Sequence, residues 1–66
     1  MAQGERHRIT GRLMEAKRGL VLELDDGGVY ALDADPTARD LIGLRVTVEG
    51  VRCGFDRIDV EWIGRA

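Results

Sequence analysis

The sequence predicts a mainly β fold, a five-stranded OB-like Greek-key barrel with one short helix between strands 3 and 4. Three observations predict it. Five segments alternate apolar and polar residues, turn-forming residues separate them, and one short segment has the spacing of a helix instead. An SH3-like barrel is the alternative, but its short helix usually lies between the last two strands. With 66 residues the chain holds one domain at most.

We assign residues 8–63 to the barrel, residues 1–7 to a flexible N-terminal segment and residues 64–66 to a frayed C-terminus. The first strand is predicted over residues 8–15, with Ile9 and Leu13 on its inner face. Gly11 lies between them, and a glycine in mid-strand predicts a sharp bend or bulge. Such a bend lets one strand serve both sides of a small barrel.

The second and third strands are predicted at residues 20–24 and 29–33, and the turn between them allows two registers. A three-residue loop with Gly27 in the left-handed region turns Tyr30 inward. A two-residue loop would reverse the faces of the third strand. The longer loop is favoured because it buries the larger side chains. It pairs Leu24 with Gly28, Leu22 with Tyr30 and Leu20 with Leu32.

A short helix is predicted next, because Asp35 is a good N-cap residue and Pro36 suits the first helical position. The apolar stripe of this helix is Ala38, Leu41 and Ile42, and Gly43 ends it.

The fourth strand is predicted over residues 44–52 and the fifth over residues 55–63. The apolar alternation of the fourth strand shifts after Gly50, which predicts a bulge there. After this bulge, Val51 and Cys53 are expected to point inward. On the fifth strand, Ile58, Val60 and Trp62 are expected to share the inner face.

Three stretches carry a resemblance to a known group of proteins. They are Gly11-Arg12-Leu13, Leu22-x-Leu24-x-Asp26-Gly27-Gly28-x-Tyr30-x-Leu32-Asp33 and Leu41-Ile42-Gly43-x-x-Val46-x-Val48-x-Gly50. Over residues 9–63 the chain resembles small bacterial OB-fold proteins of unknown function, short uncharacterised proteins of alphaproteobacteria. The resemblance implies the fold, and it carries no activity and no functional residues.

No enzyme activity is expected. The chain contains no serine and no asparagine, and its single His7 and single Cys53 lie far apart in sequence. A Cys–His nucleophile pair needs hydrogen-bond reach and a third orienting group, and no residue is placed to supply one. Cys53 is instead interpreted as a small buried hydrophobic residue. The aspartates at 25, 26 and 35 are interpreted as turn and cap residues. No catalytic residue, metal site or cofactor is predicted.

The formal net charge of −2 is unevenly spread. Residues 1–18 hold five basic and two acidic residues, whereas the remainder holds five basic and ten acidic ones. This imbalance could mark a partner surface, but a solvated strand face is the favoured interpretation of it. Two functions are considered. The favoured one is a non-enzymatic binding module for itself, as a homo-oligomer, or for another protein. The alternative is a single-stranded nucleic-acid-binding OB domain that uses the basic first strand and the loop after it. The candidate partner-binding residues are Arg8, Arg12, Lys17, Arg18, Val21 and Val29.

The nucleic-acid alternative is less favoured because Tyr30 and Trp62 are expected to face inward, which leaves few aromatic rings for base stacking. The N-terminal stretch has no apolar run, so no signal peptide is expected. No window resembles a membrane span, and one cysteine allows no internal disulfide. The sequence therefore predicts a soluble cytoplasmic protein without a membrane partner.

Overall fold

A computed structural model of the protein describes residues 5–17 and 19–66. The strands are β1 (Arg6–Ala16), β2 (Gly19–Leu24), β3 (Val29–Asp33), β4 (Arg45–Arg52) and β5 (Arg57–Arg65), and a 3-10 helix spans Pro36–Leu41. The strands pair in the order β1-β2-β3-β5-β4, and β4 pairs with β1 to close the barrel. The predicted five-stranded barrel with its helix after strand 3 is confirmed. The helix position does not fit the SH3-like alternative.

Strand β1 is shared between two neighbours. Its residues 6–12 pair with β4 and its residues 11–16 pair with β2, so the two ladders overlap at Gly11 and Arg12. Gly11 is buried, and a Cβ atom there would overlap the carbonyl oxygen of Glu23. The strand can change partners here because glycine has no side chain to obstruct the approach of β2. The expectation that one strand serves both sides of the barrel is confirmed.

The core is formed by inward residues of all five strands and the helix. Its buried members are Leu13, Leu20, Leu22, Leu32, Ala38, Val46, Val48 and Ile58. Burying one such aliphatic side chain contributes roughly 1.5–3 kcal/mol to stability. Leu20 and Leu32 are both in this core, although the β2–β3 ladder ends at Val21 and Ala31 and does not include them as a pair.

The hairpin between β2 and β3 has the three-residue loop. Leu22 pairs with Tyr30, and the Leu24 amide donates to the Gly28 carbonyl oxygen at 2.8 Å. Gly27 has a φ of 95°, in the region that favours glycine. The register that buries the larger side chains is therefore confirmed, and Tyr30 packs against the core.

The helix begins where the sequence predicts it. The Asp35 side chain accepts a hydrogen bond from the Thr37 amide at 3.0 Å, and Pro36 follows the cap. The internal bonds join residues three apart, as from the Ala38 amide to the Asp35 carbonyl oxygen, so the helix is of the 3-10 type. Leu41 and Ile42 pack against the core together with the buried Ala38, as the apolar stripe predicts.

A register shift separates the two halves of the β4–β5 ladder. Glu49 pairs with Trp62, whereas the next residue, Gly50, pairs with Val60. Glu61 is therefore the extra residue, and the bulge lies on β5 rather than on β4 as predicted. The alternation of β4 continues through Gly50, which is buried like Val46 and Val48, so the expectation that Val51 points inward is wrong.

The same shift overturns the expected orientation of Trp62. An extra residue reverses the side-chain alternation of a strand, so Trp62 turns outward and is 51% exposed. Ile63 packs against the core in its place. The indole ring lies close to Gly64, where an added Cβ would be 2.7 Å from the Trp62 ring.

The ends of the barrel differ from the predicted bounds. Strand β1 begins at Arg6, which pairs with Val51. Residues 1–4 of the predicted flexible segment lie outside the described residues. Strand β5 continues to Arg65, and the Ala66 amide donates to the Arg45 carbonyl oxygen at 3.0 Å.

We predict that Gly11→Ala lowers the free energy of unfolding by about 1–3 kcal/mol, because the added methyl group forces β1 and β2 apart. Gly54→Ala is the matched control, since the nearest atom to its added Cβ is the Arg57 Cβ at 3.6 Å. Urea denaturation of both variants measures the difference. Equal midpoints for the two variants would contradict the close approach at Gly11.

We also predict that Asp35 contributes to the acid sensitivity of the fold. Hydrogen bonds from Thr37, first from its backbone and then from its side chain, lower the pKa of Asp35. The ionised carboxylate therefore stabilises the folded state above the ordinary aspartate pKa of about 3.9, and this stabilisation is lost as the pH falls through the lower folded-state value.

The test compares urea midpoints at neutral and acidic pH for the wild type and Asp35→Asn, which keeps a capping oxygen but does not titrate. We expect the variant to lose less stability on acidification. Asp40→Asn removes the same formal charge away from the cap and controls for net charge. An Asp35→Asn variant as acid-sensitive as the wild type would contradict the prediction.

Candidate functional site

The outer surface of β1, β2 and β3 carries a row of apolar side chains. Met14 pairs with Val21, and Val21 pairs with Ala31. Val29 lies two residues before Ala31 and therefore on the same face of β3. Met14 is 37% exposed and Val29 is 48% exposed. We call Met14, Val21, Val29 and Ala31 the apolar face.

A groove of about 240 Å³ opens beside the apolar face. Val21 and Ala31 lie along it, Lys17 in the β1–β2 turn borders one edge, and Asp56 and Arg57 border the other. We call this depression the groove. Its edges carry both signs of charge and its floor is apolar, a combination that suits a protein side chain or a short peptide.

Phe55 lies in the loop between β4 and β5, directly before the groove residue Asp56, and it is 88% exposed. The backbone of this loop is held in place, because the Ala31 amide donates to the Asp56 carbonyl oxygen at 2.8 Å and the Cys53 amide donates to the Arg57 carbonyl oxygen at 2.9 Å. Arg52 also donates to the Phe55 carbonyl oxygen. A large aromatic ring is thus presented to solvent on an anchored loop.

Phe55 was not predicted as a binding residue, because the fifth strand was expected to begin at this position. The signal for a loop was present, since Gly54 and Asp56 flank the aromatic residue and both favour turns. Strand β5 begins only at Arg57.

The candidate residues fall into separate places. Val21 and Val29 belong to the apolar face, and Lys17 lies at the edge of the groove. Arg12 pairs with Glu23 in the ladder, and its guanidinium donates to the Gly43 carbonyl oxygen at 2.9 Å.

Arg8 lies on the β4 side of the barrel, where its Nε is 3.6 Å from a Glu49 carboxylate oxygen. Arg18 lies outside the described residues. The structure therefore places Lys17 and Val21 along the groove, Val29 in the same row as Glu23 and Arg12, and Arg8 apart from both.

Most arginines of the described chain face a carboxylate. The pairs besides Arg8 with Glu49 are Arg6 with Glu61, Arg39 with Glu15, Arg45 with Asp25 and Arg57 with Asp33. Hydrogen bonds from Arg45, and then its charge, lower the pKa of Asp25. Exposed pairs of this kind contribute little to stability, but they cancel the positive potential that a nucleic-acid surface needs.

A wider depression of about 510 Å³ lies where the 3-10 helix meets the barrel. Its carboxylates include Asp33, which pairs with Arg57, and Asp35, which caps the helix. In residues 5–17 and 19–66, no group of three or more His, Cys, Asp or Glu side chains is placed to hold a metal ion. Within the same residues, no helix combines the length and apolarity that crossing a bilayer requires.

The expectation that Cys53 is buried is wrong. Strand β4 ends at Arg52, so Cys53 belongs to the following loop and its thiol is exposed. Alternation beyond the end of a strand does not determine which way a side chain faces.

We predict that Cys53 in the native protein reacts with a thiol reagent such as DTNB at a rate close to that of the protein unfolded in urea, because the thiol is open to solvent. Absorbance of the released thiolate follows the reaction, and Cys53→Ser supplies the blank. Native-state protection by more than about a hundredfold would show that the thiol is inside the barrel after all.

The comparisons with known proteins identify one family. No curated protein shows significant similarity to the chain, and no solved structure does. The model of a family described as a protein of unknown function, DUF5818, matches residues 10–66. This range includes most of β1, all other strands and the loop that carries Phe55. The chain therefore belongs to the DUF5818 family.

Proposed function

We propose that this protein is a non-enzymatic protein-interaction module that binds its partner through the apolar face, with Phe55 at its border. The observation that carries the proposal is the continuity of the surface. Met14, Val21 and Ala31 lie side by side across three strands, and the loop that carries the exposed Phe55 is bonded to Ala31 through the next residue, Asp56. A contiguous apolar surface rimmed by polar residues is typical of an interaction site.

The composition of the surface supports a protein partner. Interface centres are depleted in charged residues and enriched in aromatic residues and methionine, with a polar rim around them. The apolar face supplies Met14, and the neighbouring loop supplies Phe55. Lys17 and Asp56 provide a charged rim of both signs. A rigid aromatic residue at the border of such a surface is suited to be an energetic hot spot.

Single-stranded nucleic acid is the competing ligand for an OB-like barrel, and it needs a basic track with stacked aromatic rings. Phe55 and Trp62 are both exposed, but Trp62 pairs with Glu49 on the β4–β5 ladder, away from the apolar face. The basic side chains near the two rings are largely engaged, since Arg57 pairs with Asp33 and Arg52 bonds to loop carbonyl oxygens. The charge pattern therefore favours a protein partner.

The test places a photo-crosslinking amino acid, benzoyl-phenylalanine, at Val29 in the full chain. Cells that make the protein natively are lysed, and the crosslinked products are separated with and without nuclease. We expect a discrete protein adduct that is insensitive to nuclease and is lost when Val21→Glu is added, because a charge on the apolar face opposes desolvation of the interface. The same crosslinker at Trp62 is the matched control and should give no such adduct.

Titration with labelled single-stranded oligonucleotide at low and high salt completes the experiment. Micromolar binding that falls steeply with salt, together with nuclease-sensitive adducts at Val29, would contradict the proposal and support the nucleic-acid alternative. The absence of any specific adduct at Val29 would also contradict it.

A further inference from the structure

We infer that the outer face of β1, β4 and β5 is a second binding site, at which Trp62 stacks on the sugar ring of an uncharged carbohydrate. This site lies away from the apolar face, and the inference goes beyond the proposed function. We call Trp62, Glu49, Arg8, Thr47 and Thr10 the indole face. Three features carry the inference, which are the place of the Trp62 ring, the hydroxyl groups beside it and the pairing of the charges around it.

The Trp62 ring is held against its own strand. It lies over Gly64, which is two residues further along the same face of β5. An added Cβ at Gly64 would be 2.7 Å from the ring atoms Cζ2 and Cη2, so a side chain at this position would displace the indole. Trp62 is still 51% exposed. The side of the ring that faces away from the strand is therefore open to solvent, while the strand supports the other side.

Two hydroxyl groups lie beside the ring. Thr47 is the cross-strand neighbour of Gly64, and Thr10 is the cross-strand neighbour of Thr47. The two Oγ1 atoms are 3.0 Å apart, so one hydroxyl donates to the other. A hydroxyl carries one proton and two acceptor lone pairs. The bonded pair therefore retains a proton and lone pairs with which it can bind a polar ligand.

The charged side chains of the indole face are already paired. Glu49 lies directly across from Trp62, and Arg8 lies directly across from Glu49. The Arg8 Nε is 3.6 Å from a Glu49 carboxylate oxygen, and Arg6 pairs with Glu61 in the same region. These pairs carry little net charge, but they still present N–H donors and carboxylate lone pairs. The indole face thus offers hydrogen bonds without the positive potential that a phosphate chain needs.

An uncharged sugar combines the properties that this face can bind. The C–H groups on one face of a sugar ring are apolar and weakly positive, and the face of an aromatic ring is negative, so the two pack together. The hydroxyl groups at the edge of the sugar can bond to Thr47 and to the Arg8–Glu49 pair. A nucleobase can also stack on an indole, but its phosphates would find paired arginines here.

The open position of the ring indicates weak binding. An outward sheet face covers one side of a ligand, whereas enclosed sites bury about 70–90% of a ligand's surface. We therefore expect dissociation constants of roughly 0.1–10 mM for a short oligosaccharide.

Trp62 is the only tryptophan of the chain, so its fluorescence reports directly on this site. The probes are four uncharged oligosaccharides, which are cellotetraose, mannotetraose, maltotetraose and chitotetraose. Each is titrated into the purified full chain up to about 10 mM. We expect at least one of them to shift the emission to shorter wavelength in a saturable manner, because a stacked sugar removes water from the open side of the ring.

Calorimetric titration with the best probe tests the variants, because it does not depend on the indole. Trp62→Ala should raise the dissociation constant by about tenfold or more, and Trp62→Phe, which keeps a smaller ring, should retain part of the affinity. Thr47→Val removes a hydroxyl at similar shape and should weaken binding by about three- to tenfold. Phe55→Ala removes the other exposed ring and is the matched control, with an expected change of less than about twofold.

Circular dichroism and urea midpoints show whether each variant is folded. Three results would overturn the inference. They are the lack of a saturable response to all four sugars, sugar binding that Trp62→Ala leaves unchanged, and quenching of Trp62 by oligothymidine at low salt without a response to any sugar. None of these results bears on the crosslinking at Val29, so the proposed function stands or falls separately.

Discussion

The closure of the barrel through β1 is the constraint on which the rest of the structure depends. One strand must pair with β2 over one half and with β4 over the other, and the two ladders overlap at Gly11. Only a residue without a side chain permits the approach of the Glu23 carbonyl at that point. Closure then places the inward aliphatic residues of all strands in one core. A chain of 66 residues has few other apolar side chains from which a core could form.

Closure also determines what remains for binding. A closed barrel pairs its strand edges, so a partner must use the outer faces of the strands or the loops. On β1, β2 and β3 the outward residues include an apolar row, whereas many arginines elsewhere on the barrel face carboxylates. The β4–β5 loop is bonded to β3 through Asp56, and this contact places Asp56 at the groove with Val21 and Ala31. The candidate site is therefore a consequence of how the last loop returns to the third strand.

The sequence predicted those parts of the structure that depend on local pattern. The hairpin loop followed from Gly27 and from the size of Tyr30, and the helix start followed from Asp35 and Pro36. The predictions for Trp62 and Cys53 were wrong for related reasons. Both predictions extended the alternation of inward and outward side chains past a point where it fails. For Trp62 this point is the extra residue of β5, which reverses every later side chain, and for Cys53 it is the end of β4.

The sequence by itself determined the order of the strands along the chain and the closed, mainly β architecture. It also determined the inward face of β1, β2 and the first half of β4. These features depend on local properties, namely the alternation of apolar and polar residues along a strand and the glycines in the turns. Only the tertiary structure decided that Glu61 is the extra residue of β5, that most arginines of the described chain face carboxylates, and that Asp56 lies at the groove with Val21 and Ala31. These features depend on pairing between residues distant in sequence, and such pairing is settled by how the whole barrel closes rather than by any one segment.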